Sequence, residues 1–262
     1  MSTEPTTLET VLRRDRAVVL AGLASLTLVA WGYVVYLGWR MRTMGTMEMA
    51  PAMAMPQAQS WNAVELLLLF VMWAVMMVAM MVPSVAPLIL MSARTNRQRG
   101  VDRVVGSAAI LLLGYLLVWS GFSGLAALAQ WRLHSAAVLS PMMASTSPAF
   151  GGVLLMAAGL FQFTPLKRAC LADCRSPMGF LLSEWHGGRW GTLAMGLKHG
   201  VRCVGCCWAL MALLFVAGVM NLLWVAAIAV FVLLEKTAPM GAMLGRVTGA
   251  ALVVAGIALL VS

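Results

Sequence analysis

Long apolar stretches separated by short polar segments dominate this chain, which is 62% hydrophobic and only 10% charged. Soluble domains carry about 25% charged residues, whereas a membrane-spanning helix needs roughly 20 consecutive apolar residues. Candidate spans, two of them short, occur at about 17–38, 62–91, 104–130, 149–165, 203–219, 220–235 and 243–261. The pattern predicts an all-α fold, a polytopic transmembrane helix bundle of about seven spans.

The block at 203–235 is the least regular of these stretches. Gly218-Val-Met-Asn221 lies at its middle and is a turn signal, because Gly and Asn favour chain reversal. We therefore predict two short helices joined by a tight hairpin. If the block were a single interrupted helix, the bundle would have six spans.

The first apolar stretch follows Arg13, Arg14 and Arg16, as the core of a secretory signal would. Its length of about 22 residues exceeds the roughly 7–15 of a cleaved signal, so we predict a retained anchor. The chain then divides into a cytoplasmic segment 1–16, a membrane anchor 17–38, an external loop 39–60 and a helical bundle 61–262. This bundle includes a long cysteine-containing cytoplasmic connection at 166–202.

The distribution of Lys and Arg predicts the orientation in the membrane, because cytoplasmic loops are enriched in these residues. With the N-terminus in the cytoplasm, 15 of the 18 Lys and Arg residues lie in inner segments and 3 in outer ones. The same asymmetry accounts for the net charge of +9, so the basic balance points to the lipid bilayer and not to nucleic acid.

Methionine is unusually frequent, with 22 residues in the chain. The predicted external loop carries a cluster of them: Met41, Met44, Met47, Met49, Met53 and Met55. Thioethers are soft ligands that suit Cu(I), although Met also serves as an adaptable filler of apolar cores. Because this segment is polar and interrupted by proline, it has no core to fill. We predict that Met44, Met47 and Met49 capture copper.

A second group of methionines lies in the second predicted span. Met76 and Met80 share one helix face, while Met77 and Met81 lie about 100° around the helix from it. Pro83 follows and frees a backbone carbonyl one turn earlier. Such a helix suits either passage of a soft cation or ordinary packing against its neighbours, and the pattern alone does not choose between them.

The five cysteines form two groups next to predicted spans. Cys170 and Cys174 follow the fourth span, whereas Cys203, Cys206 and Cys207 open the fifth. The latter three are spaced at i, i+3 and i+4, so they share one quadrant of a helix. On the cytoplasmic side thiols stay reduced, which favours free thiols or metal ligands over disulfides. The four cations predicted to lie nearby and to favour the thiolate are Lys167, Arg168, Arg175 and Arg202.

Four interpretations of the cysteines remain open on spacing alone. Structural zinc sites usually repeat C-x-x-C, whereas the first pair here is C-x-x-x-C. Thiol-disulfide exchange would use Cys203 and Cys206, and Cu(I) accepts soft ligands at this spacing. The remaining interpretation is that the cysteines are only small apolar core residues.

Several other functions lack their sequence signals. No G-x-x-x-x-G-K-[ST] phosphate loop occurs, which argues against ATP-driven transport. Glu65 and Glu235 lie near the ends of predicted spans, and His134, His186 and His199 fall in predicted connections. A proton relay within the membrane is therefore not expected, nor is a haem held by two histidines.

Three segments resemble the signature blocks of a bacterial family described as predicted metal-binding integral membrane proteins. They are MWAVMMVAMMVPSVAPL at 72–88, LFQFTPLKRACLADCRSP at 160–177 and GVRCVGCCWALMALLFVAGVMNLLW at 200–224, followed by the Glu235-Lys236 pair. The family includes a membrane protein regarded as a copper chaperone for a bacterial tyrosinase. The resemblance implies a bacterial inner membrane protein that binds metal and has no established catalytic activity.

The resemblance also implies which residues bind the metal. The implied ligands are Cys170, Cys174, Cys203, Cys206 and Cys207, with a membrane component formed by Met76, Met77, Met80 and Met81. Copper as Cu(I) is the expected ion and zinc the alternative, and the expected partner is a copper-dependent enzyme or a soluble copper carrier. The two competing functions are a membrane thiol-disulfide oxidoreductase and a non-catalytic assembly subunit.

Overall fold

The computed structural model describes residues 7–47, 62–101, 103–135, 147–219 and 221–261, and within these ranges the regular structure is entirely helical. The helices are α1 (Thr7–Met47), α2 (Ala63–Gln98), α3 (Val104–Ser135), α4 (Pro148–Phe161), α5 (Pro165–Arg175), α6 (Pro177–Glu184), α7 (Gly188–Ala212), α8 (Leu214–Ala217), α9 (Leu222–Thr237) and α10 (Gly241–Val261). The all-α prediction is confirmed.

Among the described residues, five helical segments are long and apolar enough to cross a membrane. A sixth appears if α4 and α5, which are bent by 63° relative to each other, form one span. The prediction of about seven counted residues 220–235 as a separate span. That segment forms α9, whose 16 residues are short for a bilayer of roughly 30 Å at 1.5 Å per residue.

Helix α7 begins much earlier than the apolar pattern predicted. Residues 166–202 are not a loop: they form α5, α6 and the first half of α7. Charged Lys198 and Arg202 hid this half of α7 from hydropathy, although both are neutralised by ion pairs with Glu184. The segment Gly188–Ala217 is therefore one candidate span of 30 residues.

Helix α1 also extends further than predicted, because it continues to Met47 into the segment expected to be an external loop. The backbones of Met44 and Met47 lie in its last turns, but their side chains are outside the described part of the structure. Met49 lies wholly outside the described residues. The proposed capture role of these three methionines therefore stays a prediction.

A repeated sequence signal sets the starts of three consecutive helices. Ser147, Thr164 and Ser176 each precede a proline, and each side-chain oxygen accepts a hydrogen bond from a backbone amide of the first turn. Such N-caps satisfy amides that have no helical partner, and proline fits the first helical position because its missing amide is not needed there. These caps separate α5 from α4 and α6 from α5.

The predicted turn at 218–221 is present. Gly218 has a φ of +89°, a conformation that residues with a Cβ rarely adopt. Asn221 then caps α9, because its side-chain oxygen accepts a hydrogen bond from the backbone amide of Leu223 at 3.2 Å. The turn between α8 and α9 is thus formed by Gly218, and the Asn221 cap begins the next helix.

Glycines allow two pairs of helices to approach closely. A Cβ at Gly196 of α7 would lie 3.1 Å from the Cα of Gly114 in α3, so these two helices touch backbone to backbone. In the same way, a Cβ at Gly249 of α10 would lie 3.0 Å from the carbonyl oxygen of Gly159 in α4. Small residues permit such close contacts between helices.

Helix α2 lies at the centre of the bundle and packs against α1, α3 and α9. Pro83 within it has no amide hydrogen, so the carbonyl of Ala79 has no helical donor. The indole nitrogen of Trp31 in α1 donates to this carbonyl at 3.0 Å. A neighbouring helix thus supplies the hydrogen-bond donor that α2 lacks at Ala79. This hydrogen bond holds α1 against α2.

Candidate metal centre

Three of the five cysteines lie on one buried face of α7. Cys203 and Cys206 are each 1% exposed, and Cys207 is fully buried. Helix α7 packs against α5, where Gly205 permits a close approach, and against α3, where Gly196 and Gly200 do. The helical spacing predicted from the sequence therefore brings all three thiols into the interior.

Cys174 comes from α5 and meets this face. Its Sγ lies 3.9 Å from the Sγ of Cys206. Two thiolates that share a tetrahedral ion at about 2.3 Å would be about 3.8 Å apart. The separation of Cys174 and Cys206 is therefore that of two sulfur atoms able to bind the same ion.

Cys170 lies one turn earlier on α5 and is partly exposed. Its Sγ sits beside Gly205 of α7, where an added Cβ would approach it to 2.8 Å. The absence of a side chain at Gly205 thus leaves room for this thiol between the two helices. Cys170 connects the buried cysteines with the surface of the protein.

The Sγ of Cys203 has two polar partners from other helices. The Nζ of Lys236 in α9 lies 2.9 Å away, and the hydroxyl oxygen of Tyr115 in α3 lies 3.0 Å away. Lys236 also donates to Ser84 Oγ at 3.1 Å. An ammonium and a phenol next to a sulfur stabilise its thiolate form, which is the form that binds metal. Cys203 is therefore the most strongly activated thiol of the group by geometry.

Three of the four cations predicted to lie near the thiols have other partners. Lys167 forms a buried ion pair with Glu235 at 2.7 Å, and Arg202 pairs with Asp173 and Glu184. The guanidinium of Arg175 donates to the carbonyls that follow α9, and Arg168 is exposed and has no ion pair among the described residues. The cation that contacts a cysteine is Lys236, which sequence reasoning did not assign to the thiols.

The Arg202 ion pairs belong to a small network that joins α5, α6 and α7. Glu184 accepts hydrogen bonds from Lys198 at 2.7 Å and from Arg202 at 2.8 Å. The hydrogen bond from Lys198 and the positive charges of both residues lower the pKa of Glu184. This network holds the part of α7 that the sequence assigned to a loop.

All four methionines of the predicted membrane component, Met76, Met77, Met80 and Met81, are buried in α2. The hydroxyl of Tyr115, which contacts Cys203, also donates to the carbonyl oxygen of Met81 at 3.3 Å. The described link between α2 and the cysteines thus runs through a backbone carbonyl. Met76 lines a narrow gap between α1, α2 and the start of α9.

His199 differs from its prediction, because it lies inside α7 and is only 3% exposed. Its ring packs between Tyr115 and Phe180, with centroid distances of 5.9 and 4.9 Å, and its Nδ1 has no hydrogen-bond partner among the described residues. The expectation of no histidine or carboxylate deep in a span was therefore wrong for His199. A helical register extended back from Cys203 places His199 four residues earlier on the same face, which was the available signal.

In the part of the chain that the structure describes, no three His, Cys, Asp or Glu side chains converge with the spacing of a preformed metal site. The thiols of Cys206 and Cys207 instead donate to the carbonyl oxygen of Cys203, at 3.1 and 2.9 Å. The donor set still fits a soft ion in chemical type, since grouped thiols favour Cu(I) or zinc over Mg²⁺ or Ca²⁺. The cysteines therefore form an assembled group of thiols that hydrogen bonds hold in place.

Comparison with known proteins identifies the family. A family described as copper chaperone, PpoB2, matches residues 70–259, which include every cysteine and the five buried methionines of α2. No curated protein and no solved structure matches the chain. Because the match covers well over half of the chain, and because the thiols grouped within it are soft ligands, this protein belongs to the family of copper chaperones.

Proposed function

We propose that this copper chaperone is a bacterial inner membrane protein that binds copper as Cu(I) and captures or delivers it for assembly of a copper enzyme. The observation that carries the proposal is the contact between the thiols of Cys174 and Cys206 inside the bundle, on the face of α7 that also carries Cys203 and Cys207. Grouped sulfur ligands favour soft ions such as Cu(I) and zinc, and the match to a copper chaperone family favours copper. Copper is the cargo here, so the protein needs no catalytic activity of its own.

Within this proposal the cysteines have different tasks. Cys174, Cys203 and Cys206 hold the ion, because the thiols of Cys174 and Cys206 are in contact and Cys203 is buried on the same helix as Cys206. Cys207 adds a fourth sulfur from the same face of α7. Cys170 exchanges copper with a carrier at the protein surface, since it is the partly exposed member of the group. Copper moves by exchange of one thiolate for another, with no change of oxidation state, and each neutral thiol releases a proton as it binds.

The methionines have supporting roles in this proposal. Met76, Met77, Met80 and Met81 provide soft sulfur atoms in the wall of the bundle next to the turn that contacts Tyr115. Met44, Met47 and Met49 collect copper outside the bundle. Thioethers carry no charge, so they hold Cu(I) more loosely than thiolates do, and copper passes from methionine to cysteine.

A thiol-disulfide oxidoreductase is the weaker alternative. Such an enzyme needs an accessible thiolate to attack its substrate, whereas Cys203 and Cys206 are both 1% exposed. They also lie on the same helix at i and i+3, and Cys206 donates to the carbonyl of Cys203. This geometry supports storage of a small ion better than reaction with a protein disulfide.

The metal itself provides the first test. Protein purified without chelators from copper-supplemented cells should contain about one copper or more per chain and little zinc, measured by elemental mass spectrometry. The copper should give no electron paramagnetic resonance signal, because Cu(I) has a filled d shell. Zinc in place of copper, or a metal-free protein that takes up no Cu(I) afterwards, would contradict the proposal.

Variants then connect the metal to the cysteines. Cys203→Ser with Cys206→Ser exchanges two thiols for poor oxygen donors, so Cu(I) stoichiometry should fall while expression is retained. Met211→Leu is the matched control, because it removes a buried sulfur from the same helix that is not among the candidate ligands. Copper binding should be unchanged in this control. Equal copper loss in both variants would indicate a general packing defect instead of a metal site.

Orientation needs a separate experiment. The excess of Lys and Arg in inner segments supports a cytoplasmic N-terminus. A reporter fused after residue 98 or 188 should then be cytoplasmic, and one fused after residue 50 external. Labelling of Cys170 in intact cells by a thiol reagent that does not cross membranes would show the opposite orientation.

A further inference from the structure

A polar cavity lies between α4, α5, α9 and α10, and the copper proposal does not use it. Its volume is about 270 Å³. Its lining residues are Gln162, Phe163, Lys167, Arg168, Leu171, Glu235, Ala242, Gly245 and Arg246. Three cations thus face a single carboxylate, and the cavity has an excess of positive charge.

The inner wall of the cavity is buried and contains a donor that lacks a partner. Lys167 forms its ion pair with Glu235 and also donates to the side-chain oxygen of Gln162. Gln162 is 4% exposed, and its amide nitrogen has no hydrogen-bond partner among the described residues. A buried donor without an acceptor costs free energy, so this nitrogen calls for a ligand that brings an acceptor oxygen.

The mouth of the cavity is cationic and borders apolar surface. Arg168 and Arg246 are exposed and have no carboxylate partner among the described residues. Phe163, which also lines the cavity, is 45% exposed. A ligand held here therefore meets positive charge and apolar surface together.

Helix α10 continues the apolar surface beyond Arg246. Ala250, Val254 and Ile257 follow Arg246 at i+4, i+8 and i+11, and all three are exposed. They therefore form an apolar strip below Arg246 on the same helix face. From Arg246 to Ile257 the strip is about 16 Å long at 1.5 Å per residue, which is about half of a roughly 30 Å hydrocarbon core.

We infer that this cavity binds the phosphate headgroup of an anionic phospholipid, with an acyl chain lying along the exposed face of α10. Basic pockets between spanning helices bind anionic headgroups in this way. The phosphate oxygens accept hydrogen bonds from Arg168, Arg246 and the free amide nitrogen of Gln162. Lys167 offsets the negative charge of Glu235, so the carboxylate does not repel the lipid.

The test measures lipid binding to the full chain by native mass spectrometry in detergent. Phosphatidylglycerol should bind more tightly than phosphatidylcholine. Arg246→Gln and Arg168→Gln should each weaken phosphatidylglycerol binding about fivefold, and Arg246→Lys should weaken it less because the charge remains. Arg189→Gln is the matched control, since Arg189 is exposed at the start of α7, away from the cavity, and it should bind like the parent.

Three results would overturn the inference. Equal affinity for phosphatidylcholine would mean that the anionic headgroup is not recognised. Unchanged phosphatidylglycerol binding in both arginine variants would place the lipid elsewhere. Inorganic phosphate that binds as tightly as phosphatidylglycerol and displaces it would identify a site for a free anion. Because the readout is lipid binding, these results are independent of whether the cysteines bind copper.

Discussion

Lys236 Nζ lies 2.9 Å from Cys203 Sγ, and the side chains of both residues are buried, at 6% and 1% exposure. They come from α9 and α7 and are 33 residues apart in the chain. An ammonium in an apolar interior is costly without a counter-charge, and Cys203 in its thiolate form is the group at hydrogen-bond distance that can supply one. The stability of the bundle therefore depends on a residue of the proposed copper site.

Removal of one partner of this contact should destabilise the protein strongly. Cys203→Ala leaves the ammonium of Lys236 buried without a counter-charge, which costs about 3–5 kcal/mol. Lys236→Met in the same chain should recover most of this loss, because a buried ion pair replaced by apolar side chains is often neutral in free energy. Thermal or denaturant unfolding in detergent measures both effects. Additive losses in the double variant would show that the two residues do not form an ion pair.

Trp31 is expected to stabilise the break in α2. Trp31→Phe removes the donor to the Ala79 carbonyl, which Pro83 leaves without a helical partner. A buried carbonyl without a donor costs about 1–3 kcal/mol, and the loss should appear in unfolding experiments. Trp190→Phe is the control, because Trp190 is 84% exposed.

The same prediction has an internal check. Pro83→Ala restores an amide that can donate to the Ala79 carbonyl within α2. In this background Trp31→Phe should cost much less than in the parent. An equal cost in both backgrounds would mean that Trp31 contributes through its ring packing and not through its hydrogen bond.

Gly196 is expected to control the distance between α3 and α7. A Cβ there would overlap the Leu111 carbonyl oxygen and approach Gly114 Cα to 3.1 Å, so Gly196→Ala must push the helices apart at a cost of about 1–3 kcal/mol. It should also lower copper affinity, because Tyr115 of α3 contacts Cys203 of α7. Gly121→Ala on α3 has no atom within 4 Å of its new Cβ and should not destabilise the protein. Equal unfolding of both variants would disprove the close contact.

The methionines before the bundle give a prediction that depends on pH. Thioethers have no proton to lose, whereas a neutral thiol must release one to bind metal. Copper(I) held by Met44, Met47 and Met49 should therefore bind with almost the same affinity between about pH 5 and 7, unlike copper held by the cysteines. We expect that a full chain with all five cysteines changed to Ser still binds copper in this range.

The leucine variant supplies the control for that experiment. Met44, Met47 and Met49 changed to Leu keep the apolar bulk and lose the sulfur, so the residual copper binding should disappear. Copper binding that is equal in the leucine variant would show that the segment takes no part in capture.

Local signals in the sequence were sufficient where a structure depends on neighbouring residues. The caps at Ser147, Thr164 and Ser176 act within one helical turn, and so does the left-handed turn at Gly218. The shared face of the α7 cysteines follows from helical spacing in the same way. Short stretches of sequence determine these features, because their hydrogen bonds connect residues only a few positions apart.

The start of α7 could not be read from hydropathy, because its first half mixes glycine with Lys198 and Arg202. Those charges are tolerated since Glu184 and Asp173, from other helices, neutralise them. His199 is buried between the rings of Tyr115 and Phe180, which also come from other helices. A charged or glycine-rich segment resembles a loop in sequence, because the partners that stabilise it as a helix come from other parts of the chain.

By itself, then, the sequence determined the all-helical class, with helices long and apolar enough to span a membrane, and the soft chemistry of its candidate ligands, through its Cys and Met residues. Only the tertiary structure decided which side chains meet. Cys174 reaches Cys206 because α5 packs on α7. Lys236 lies beside Cys203 because α9 also packs on α7. The physical reason is that contacts between distant segments depend on how closely the helices approach each other. Residues such as Gly114 and Gly196, whose backbones touch, set this distance for α3 and α7.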